Sequence, residues 1–216
     1  MIRWEVLVTS IVAVIYIFLA LWYLKTRNKG SKKMQEVSNI IKRGSKIFLI
    51  REHKFMGVVI LIIATIIFIF DRTLGTFFIV GAVLSSFSSI VGMSIATSAN
   101  VKVTASKNIQ SGMRIAFMSG LIISTITTII GLVGIYAMYS MTDNVQVLYG
   151  FGFGAALVAL FLRVGGGIYT KSADVSADLV GKIETNLPED DARNPAVIAD
   201  LVGDNVGDVA GMSTDL

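Results

Sequence analysis

The chain contains no cysteine, and it contains only two prolines and one histidine in 216 residues. The lack of cysteine excludes disulfides and thiolate metal sites. The single histidine, His53, lies in a basic stretch and makes a poor metal site without partners, so we interpret it as a solvated or interfacial residue. Charged residues are also scarce, at 16% against 54% hydrophobic residues. This composition excludes an ordinary soluble domain and favours an integral membrane protein.

Five apolar segments follow one another along the chain: 6–24, 55–70, 74–96, 115–141 and 145–162. Their lengths lie around the roughly 20 residues that a straight membrane helix needs. The first segment has no convincing cleavage site and is followed by further spans, so we interpret it as a membrane helix rather than a signal peptide. The sequence therefore predicts an all-α, polytopic membrane helix bundle within a lipid bilayer.

Basic residues mark one set of connections between these spans. Residues 25–54 contain ten Lys or Arg against two Glu, and residues 97–114 contain three basic residues and no acid. Because basic loops stay in the cytoplasm, the N-terminus is expected outside and the loop at 163–195 in the cytoplasm. The basic residues thus flank membrane spans, and we expect no nucleic-acid partner. We expect residues 31–54 to form a cytoplasmic helix that extends the second span.

The acidic residues are concentrated at the other end, where residues 163–215 hold ten of the fifteen. If residues 171–182 form a helix, four charged side chains share one face: Lys171, Asp174, Asp178 and Lys182. A surface helix with ion pairs would give the same pattern, but the Asp174/Asp178 pair costs stability unless cations bridge it. Oxygen ligands beside lysines are typical of a hard cation such as Mg²⁺ that carries a phosphate compound.

A second acidic segment follows the prolines, with Asn194 as the expected N-cap and Pro195 at the first helical position. On a regular α-helix, four carboxylates fall within about 80° of one another: Asp200, Asp204, Asp208 and Asp215. An adjacent stripe of small residues would allow close packing of another helix: Gly203, Gly207 and Gly211. The apolar surroundings predict a sixth membrane helix over 195–216. Its acids indicate an ion path or a bound cation, with Arg163 as a candidate partner for a deep carboxylate.

Three further motifs carry less information. The triplet 165–167 is all glycine, which is as typical of a backbone that approaches phosphate as of a flexible exit from the membrane, and it is not a Walker A loop. The serines at 85, 86, 88 and 89 are expected to allow close helix packing, without chemistry. The acids at 189–191 fit simple loop charges, an interpretation that we favour for Asp190 and Asp191.

Two strings, GGGIYTKSADVSADLVGK and PEDDARNPAVIADLVGDNVGDVAGM, closely resemble the signature region of membrane-bound, ion-pumping pyrophosphatases. Upstream, MQEVSNIIKRGSKIFLIREHK, VGMSIATSANV and GMRIAFMSG resemble early helices and loops of the same family. The resemblance covers nearly the whole chain but only about the first third of the family's length. It implies an N-terminal fragment, inactive alone, with about five to six of about sixteen membrane helices. Ser172 and Ser176 replace a usual alanine and glycine, and both remain small.

The resemblance implies Mg-dependent hydrolysis of inorganic pyrophosphate coupled to transport of H⁺ or Na⁺. Lys171 would bind the pyrophosphate, which arrives as a magnesium complex, and Asp208 would position the attacking water. Several Mg²⁺ ions would be held by five carboxylates: Asp174, Asp178, Glu189, Asp200 and Asp204. The coupling funnel and ion gate would contain three residues: Arg163, Asp208 and Asp215. The resemblance also implies K⁺ activation in part of the family, a homodimer for the full-length protein, and a prokaryotic cytoplasmic membrane.

A cation channel or Mg²⁺ transporter without hydrolysis is the alternative, since it would use an acidic membrane helix equally well. The lysines on the face of Asp174 and Asp178 argue against it, because cation pores avoid ammonium groups. Release of phosphate from Mg-pyrophosphate distinguishes the two functions.

Overall fold

The computed structural model describes residues 4–184, 188, 191 and 193–214, apart from the side chains of Lys182 and Glu184. Within this part of the chain the regular structure is entirely helical, without strands. The six α-helices are α1 (Trp4–Lys25), α2 (Lys32–Phe70), α3 (Arg72–Thr104), α4 (Ile109–Thr142), α5 (Val147–Asp178) and α6 (Pro195–Asp204). Leu179–Glu184 and Asn205–Gly211 are π-helical, and Met212–Thr214 forms a 3₁₀ turn. The predicted all-α bundle is confirmed.

Helix α2 shows that the basic segment and the second span are one continuous helix of 39 residues. Ser31 begins it as an N-cap, because the Ser31 hydroxyl accepts a hydrogen bond from Met34 N at 3.3 Å. At 1.5 Å per residue the helix is about 58 Å long, well beyond the roughly 30 Å of a bilayer's hydrocarbon core. The expected extension of the second span is therefore present.

The connections between α2, α3, α4 and α5 are short, and polar side chains cap the helix ends there. Asp71 ends α2 and begins α3, and its carboxylate accepts from Thr73 N at 2.8 Å and from Leu74 N at 3.1 Å. Asn108 caps α4 in the same way, accepting from Ser111 N at 2.8 Å. Asp143 ends α4 in the left-handed conformation, with φ of 51°. The long helices that these connections join therefore run antiparallel.

Helix α3 lies at the centre and packs against α2, α4 and α5, while α1 packs mainly against α4. Its contact with α5 is the most extensive of the bundle and rests on backbone approach. A Cβ at Gly81 would collide with the Phe151 carbonyl, and one at Gly154 with the Phe78 carbonyl. Three of the serines on α3 are almost completely buried: Ser85, Ser88 and Ser89. This agrees with the packing role expected for that cluster.

The outer faces of the helices carry large apolar side chains that have no cover within the described residues. Phe18 is 71% exposed, Ile69 75% and Phe70 86%. Five helices are long and apolar enough to cross a membrane. Such faces are stable in contact with lipid, so the chain is an integral membrane protein.

Cysteine labelling tests the membrane orientation that the distribution of basic residues among the loops predicts. We expect a cysteine at Asn144, an exposed residue between α4 and α5, to react only with impermeant thiol reagents added outside the cell. A cysteine at Lys107, between α3 and α4, is the matched control and should react only after the cytoplasm is made accessible. The chain's lack of cysteine removes background labelling. Labelling of position 144 from the cytoplasmic side alone would overturn the predicted orientation.

Candidate active site

Helix α5 and the segment from Pro195 onwards lie in backbone contact along the glycine stripe, Gly203, Gly207 and Gly211. The partners run antiparallel: Gly203 faces Thr170, Gly207 faces Gly166 and Gly167, and Gly211 faces Arg163. A Cβ on Gly203 would lie 2.5 Å from Thr170 Cβ, and one on Gly211 would lie 2.7 Å from Arg163 Cγ. Real Cβ atoms essentially never come so close, so only glycine permits this spacing. The predicted close packing of another helix is confirmed.

The glycine triplet at 165–167 has a different role from either sequence interpretation. Helix α5 runs through it without a break, so it forms neither a phosphate loop nor a flexible exit. Gly166 meets the backbone of Gly207, where an added Cβ would lie 2.5 Å from the Gly207 nitrogen. On the next side, a Cβ at Gly165 would collide with the carboxylate of Glu52 on α2. Gly165 and Gly166 are therefore needed for helix packing, whereas a Cβ at Gly167 would meet no atom within 4 Å.

The segment after Pro195 begins as expected but does not continue as a regular α-helix. Asn194 caps it by accepting from Ala196 N at 3.0 Å, with Pro195 in the first turn. The α-helical hydrogen bonding ends at Asp204, and π-helical residues follow. The prediction that four carboxylates fall within about 80° assumed a regular α-helix. It does not hold beyond Asp204, because a π-helix closes its hydrogen bonds at i+5.

Asn205 marks this change of helix type. Its Nδ2 donates to the Leu201 carbonyl at 2.7 Å, and its Oδ1 accepts from Asn100 Nδ2 on α3 at 3.0 Å. The side chain is 8% exposed, so this amide pair is an interior contact. It ties the start of the π-helical residues to α3, a tertiary constraint that propensity alone does not reveal.

Hydroxyl groups from α3 and α4 hold the end of the same segment. Thr127 Oγ1 donates to the Ser213 carbonyl at 2.6 Å, and Ser85 Oγ donates to the Thr214 carbonyl at 3.1 Å. Ser88 Oγ lies 2.6 Å from Thr127 Oγ1. The buried serines thus fix carbonyl groups as well as filling space, which the sequence interpretation missed.

Thr170 is the centre of the acidic site, at the point where α5 meets α6. Its hydroxyl oxygen lies 2.6 Å from Asp200 Oδ1, 2.9 Å from Asp204 Oδ1 and 2.9 Å from the Asp200 carbonyl oxygen. A hydroxyl has one proton and donates it to one acceptor at a time. Two carboxylates and a carbonyl are therefore gathered around a single donor, an arrangement in which a hard cation would supply the missing positive charge.

Lys171 and Asp174 form an ion pair beside this cluster, with Nζ and Oδ2 separated by 2.6 Å. The carboxylates of Asp200 and Asp178 also act on the Lys171 ammonium. The Lys171 side chain is 76% exposed and that of Asp174 is 46% exposed. The surface ion pair that we considered as the alternative is thus present. It leaves Lys171 two further N–H donors for an incoming anion.

The other expected site residues are less closely grouped. Asp178 and Asp208 are exposed, and Arg163 is exposed where α5 packs on Gly211. Glu189 and Asp215 lie outside the described residues. Among the residues that the structure does describe, no three His, Asp or Glu side chains form a ready metal cage. The Asp200 and Asp204 carboxylates at Thr170 are oxygen groups of the kind that bind hard cations.

Asp191 is accounted for by a neighbouring arginine. Arg193 Nη2 lies 2.7 Å from Asp191 Oδ2, and both Arg193 Nε and N donate to Oδ1. The side-chain hydrogen bond from Arg193 is the largest cause that lowers the pKa of Asp191 to about 2. Asp191 thus shapes the turn before Asn194, which agrees with our interpretation of it as a loop charge. Asp190 lies outside the described residues.

Sequence reasoning did not single out Thr170 or Asn205. Thr170 stands directly before Lys171 and seven residues after Arg163, a spacing that puts it on the face of Arg163. An asparagine among apolar residues of a helix, such as Asn205, likewise indicates a buried amide contact. Both signals point to a position on a helix, but neither identifies the partner.

The fold and the site define the class of protein: a polytopic α-helical membrane protein with an oxygen-rich acidic site beside a lysine. Residues 11–216 match the profile of the family described as Inorganic H⁺ pyrophosphatase. The chain belongs to this family.

The similar proteins include pumps of bacteria and archaea. A K⁺-insensitive pyrophosphate-energized proton pump of Caldanaerobacter subterraneus is 39% identical over 95% of this chain. A putative K⁺-stimulated pyrophosphate-energized sodium pump of Clostridium tetani is 44% identical over 96% of it. A K⁺-insensitive proton pump of Methanosarcina mazei is 42% identical over 87%. The matches cover 33%, 31% and 29% of these relatives, so the chain spans about a third of their length.

The backbone contact between α5 and the glycine stripe is tested by two neighbouring glycines. We expect Gly166→Ala to lower the midpoint of thermal unfolding by several degrees, because its Cβ would force the Gly207 backbone away. Gly167→Ala is the matched control, since its Cβ meets no atom within 4 Å. The measurement is thermal unfolding of the detergent-purified chain. Equal midpoints for the two variants would show that the helices are not in backbone contact.

The role of the Thr170 hydroxyl is tested in the absence of divalent cations. We expect Thr170→Val to lower the unfolding midpoint, because the Asp200 and Asp204 carboxylates lose their shared donor, at a cost of about 1 kcal/mol. Thr170→Ser keeps the hydroxyl and should unfold close to the original temperature. A serine variant as unstable as the valine variant would assign the effect to packing of the methyl group instead.

Proposed function

We propose that this chain forms the N-terminal helices, and part of the active site, of a membrane pump that hydrolyses Mg-pyrophosphate and transports H⁺ or Na⁺. The family membership and the pumps among the relatives support this assignment. The chain spans about a third of those pumps, so the complete reaction requires groups that lie beyond the matched part.

The observation that carries the proposal is the gathering of three oxygen acceptors around the Thr170 hydroxyl. A cation channel would use carboxylates in the same way, but it would not gain from a lysine next to them. Lys171 lies next to Thr170 in the sequence and carries its positive charge on an exposed side chain. Carboxylates together with a lysine suit a ligand that is an anion and a metal complex at once.

Each residue has a definite role in this proposal. Asp200 and Asp204, with Asp174, Asp178 and Glu189, would hold Mg²⁺, which would supply positive charge to offset that of the phosphate groups. Lys171 either breaks its ion pair with Asp174 or keeps it, and in both cases donates hydrogen bonds to pyrophosphate oxygens. Asp208 accepts a hydrogen bond from the attacking water and orients it. Hydrolysis by water needs no covalent intermediate with the protein.

The ion path is proposed to begin below Asp208, towards the end of the described segment. Arg163 packs on Gly211, three residues beyond Asp208 along the same contact. We assign Arg163, Asp208 and Asp215 to the coupling funnel and gate, since ionisable groups inside a membrane mark ion pathways. Stimulation by K⁺, a homodimeric full-length protein and a cytoplasmic membrane with the site facing inward belong to the same proposal.

The test uses a chimaera in which residues 1–216 replace the matching segment of the Clostridium tetani relative. In reconstituted vesicles the chimaera should release phosphate from Mg-pyrophosphate and take up the transported ion. Asp174→Asn and Asp204→Asn should each reduce hydrolysis at least tenfold and raise the Mg²⁺ concentration needed, because each removes a hard anionic ligand.

The matched control is Asp143→Asn. It removes one carboxylate at the C-terminal end of α4, outside the acidic site, and should leave hydrolysis unchanged. Near-normal hydrolysis in both site variants would refute the metal assignment. Ion flux without any phosphate release would instead support the cation channel.

A further inference from the structure

A lysine-lined cleft lies between α1, α2 and α3, on the side of α3 away from α5. It has a volume of about 530 Å³, and four of its lining residues are lysines: Lys25, Lys29, Lys42 and Lys102. They come from α1, the connection that follows it, α2 and α3. No Asp or Glu of the described part of the chain is among the residues that line it. The cleft, which we call the lysine cleft, therefore concentrates positive charge.

The ammonium groups retain hydrogen-bonding capacity. Lys102 Nζ donates to the Leu24 carbonyl at the end of α1, at 2.9 Å. Lys42 Nζ donates to Ser98 Oγ at 3.1 Å. Each ammonium carries three N–H donors, and these contacts use one each. Lys29 and Lys42 also repel Lys102, so a bound anion would relieve like-charge repulsion as well as accept hydrogen bonds.

An apolar groove continues from the lysine cleft towards the middle of the bundle. It has a volume of about 610 Å³ and shares Lys42, Ser94 and Thr97 with the cleft. Four apolar side chains line it, Leu49, Ile50, Ile90 and Met93, and three further basic ones lie beside them, Lys46, His53 and Lys54. On helix α3 the groove is lined by residues 90–97 and the cleft by residues 94–102, so the groove lies nearer the middle of that helix.

The end of α1 places the lysine cleft at the membrane surface. Leu21, Leu24 and Lys25 line it, and they surround Trp22 and Tyr23 in the sequence. Tryptophan and tyrosine are enriched at the level of lipid headgroups. A basic cavity at headgroup level, joined to an apolar groove that leads inward, has the chemistry of one amphiphile: a phosphate with an acyl chain.

We propose that the lysine cleft and its groove bind one anionic phospholipid, with the phosphate between Lys29, Lys42 and Lys102 and an acyl chain along Ile50 and Ile90. This site is separate from the acidic site at Thr170, and it does not depend on pyrophosphate hydrolysis. Lysines near a membrane surface each strengthen binding of anionic lipid about fivefold, whereas zwitterionic lipid gains little.

The experiment measures lipid retained by the full chain in native mass spectrometry. The detergent-purified chain is incubated with phosphatidylglycerol or with phosphatidylcholine. We expect one phosphatidylglycerol to be retained in preference to phosphatidylcholine. In Lys29→Gln/Lys42→Gln its affinity should fall about thirtyfold. The control Lys32→Gln/Arg43→Gln removes the same charge from exposed positions outside the cleft lining and should retain the lipid.

Two further measurements distinguish binding of a lipid from binding of a soluble anion. Ile90→Trp, which fills the groove without changing charge, should weaken retention at least fivefold, with thermal unfolding as the check on folding. Excess glycerol phosphate, which has the headgroup but no acyl chain, should not displace the lipid. Equal loss in the cleft and control variants, equal retention of both lipids, full retention in Ile90→Trp, or displacement by glycerol phosphate would each overturn the proposal.

Discussion

The backbone contact between α5 and the glycine stripe is the constraint on which the rest of the site depends. Two antiparallel helices come close enough for Thr170 to touch carboxylates on the opposite helix only because Gly203, Gly207 and Gly166 lack side chains. The same approach brings Lys171 within the field of Asp200. Were these helices separated by the usual 8 to 10 Å, the two acidic motifs would be independent surface features.

This contact concentrates negative charge that the described residues balance only in part. Lys171 pairs with Asp174, and the Thr170 hydroxyl gives its one proton to one acceptor. Carboxylates that lie close together repel one another, and here interactions elsewhere hold the acidic segment in place. Asn100 fixes Asn205, while Thr127 and Ser85 hold the last carbonyl groups. The bundle thus keeps the acids in position against their mutual repulsion, as a metal–anion site requires.

Sequence reasoning succeeded where a single physical signal dominates. Hydropathy located the five spans, because a membrane helix must be apolar along its whole length. Asn194 and Pro195 fixed the start of α6, because capping is local chemistry. It failed where the outcome depends on a partner. The triplet at 165–167 lies within α5, where Gly165 packs against Glu52 and Gly166 against Gly207. The helix type changes after Asp204, where Asn205 contacts α3. The residue types alone do not identify those contacting residues.

The end of α3 joins the two charged regions of the molecule. Asn100 contacts the acidic segment through Asn205, while Ser98 and Lys102, within two residues of it, belong to the lysine cleft. Residues 98 and 102 are one helical turn apart and share a face, and residue 100 points to the opposite side. One short stretch of helix therefore separates positive charge suited to an anionic headgroup from negative charge suited to Mg²⁺. A displacement of this stretch would alter both regions together, because a helix moves its opposite faces as one body.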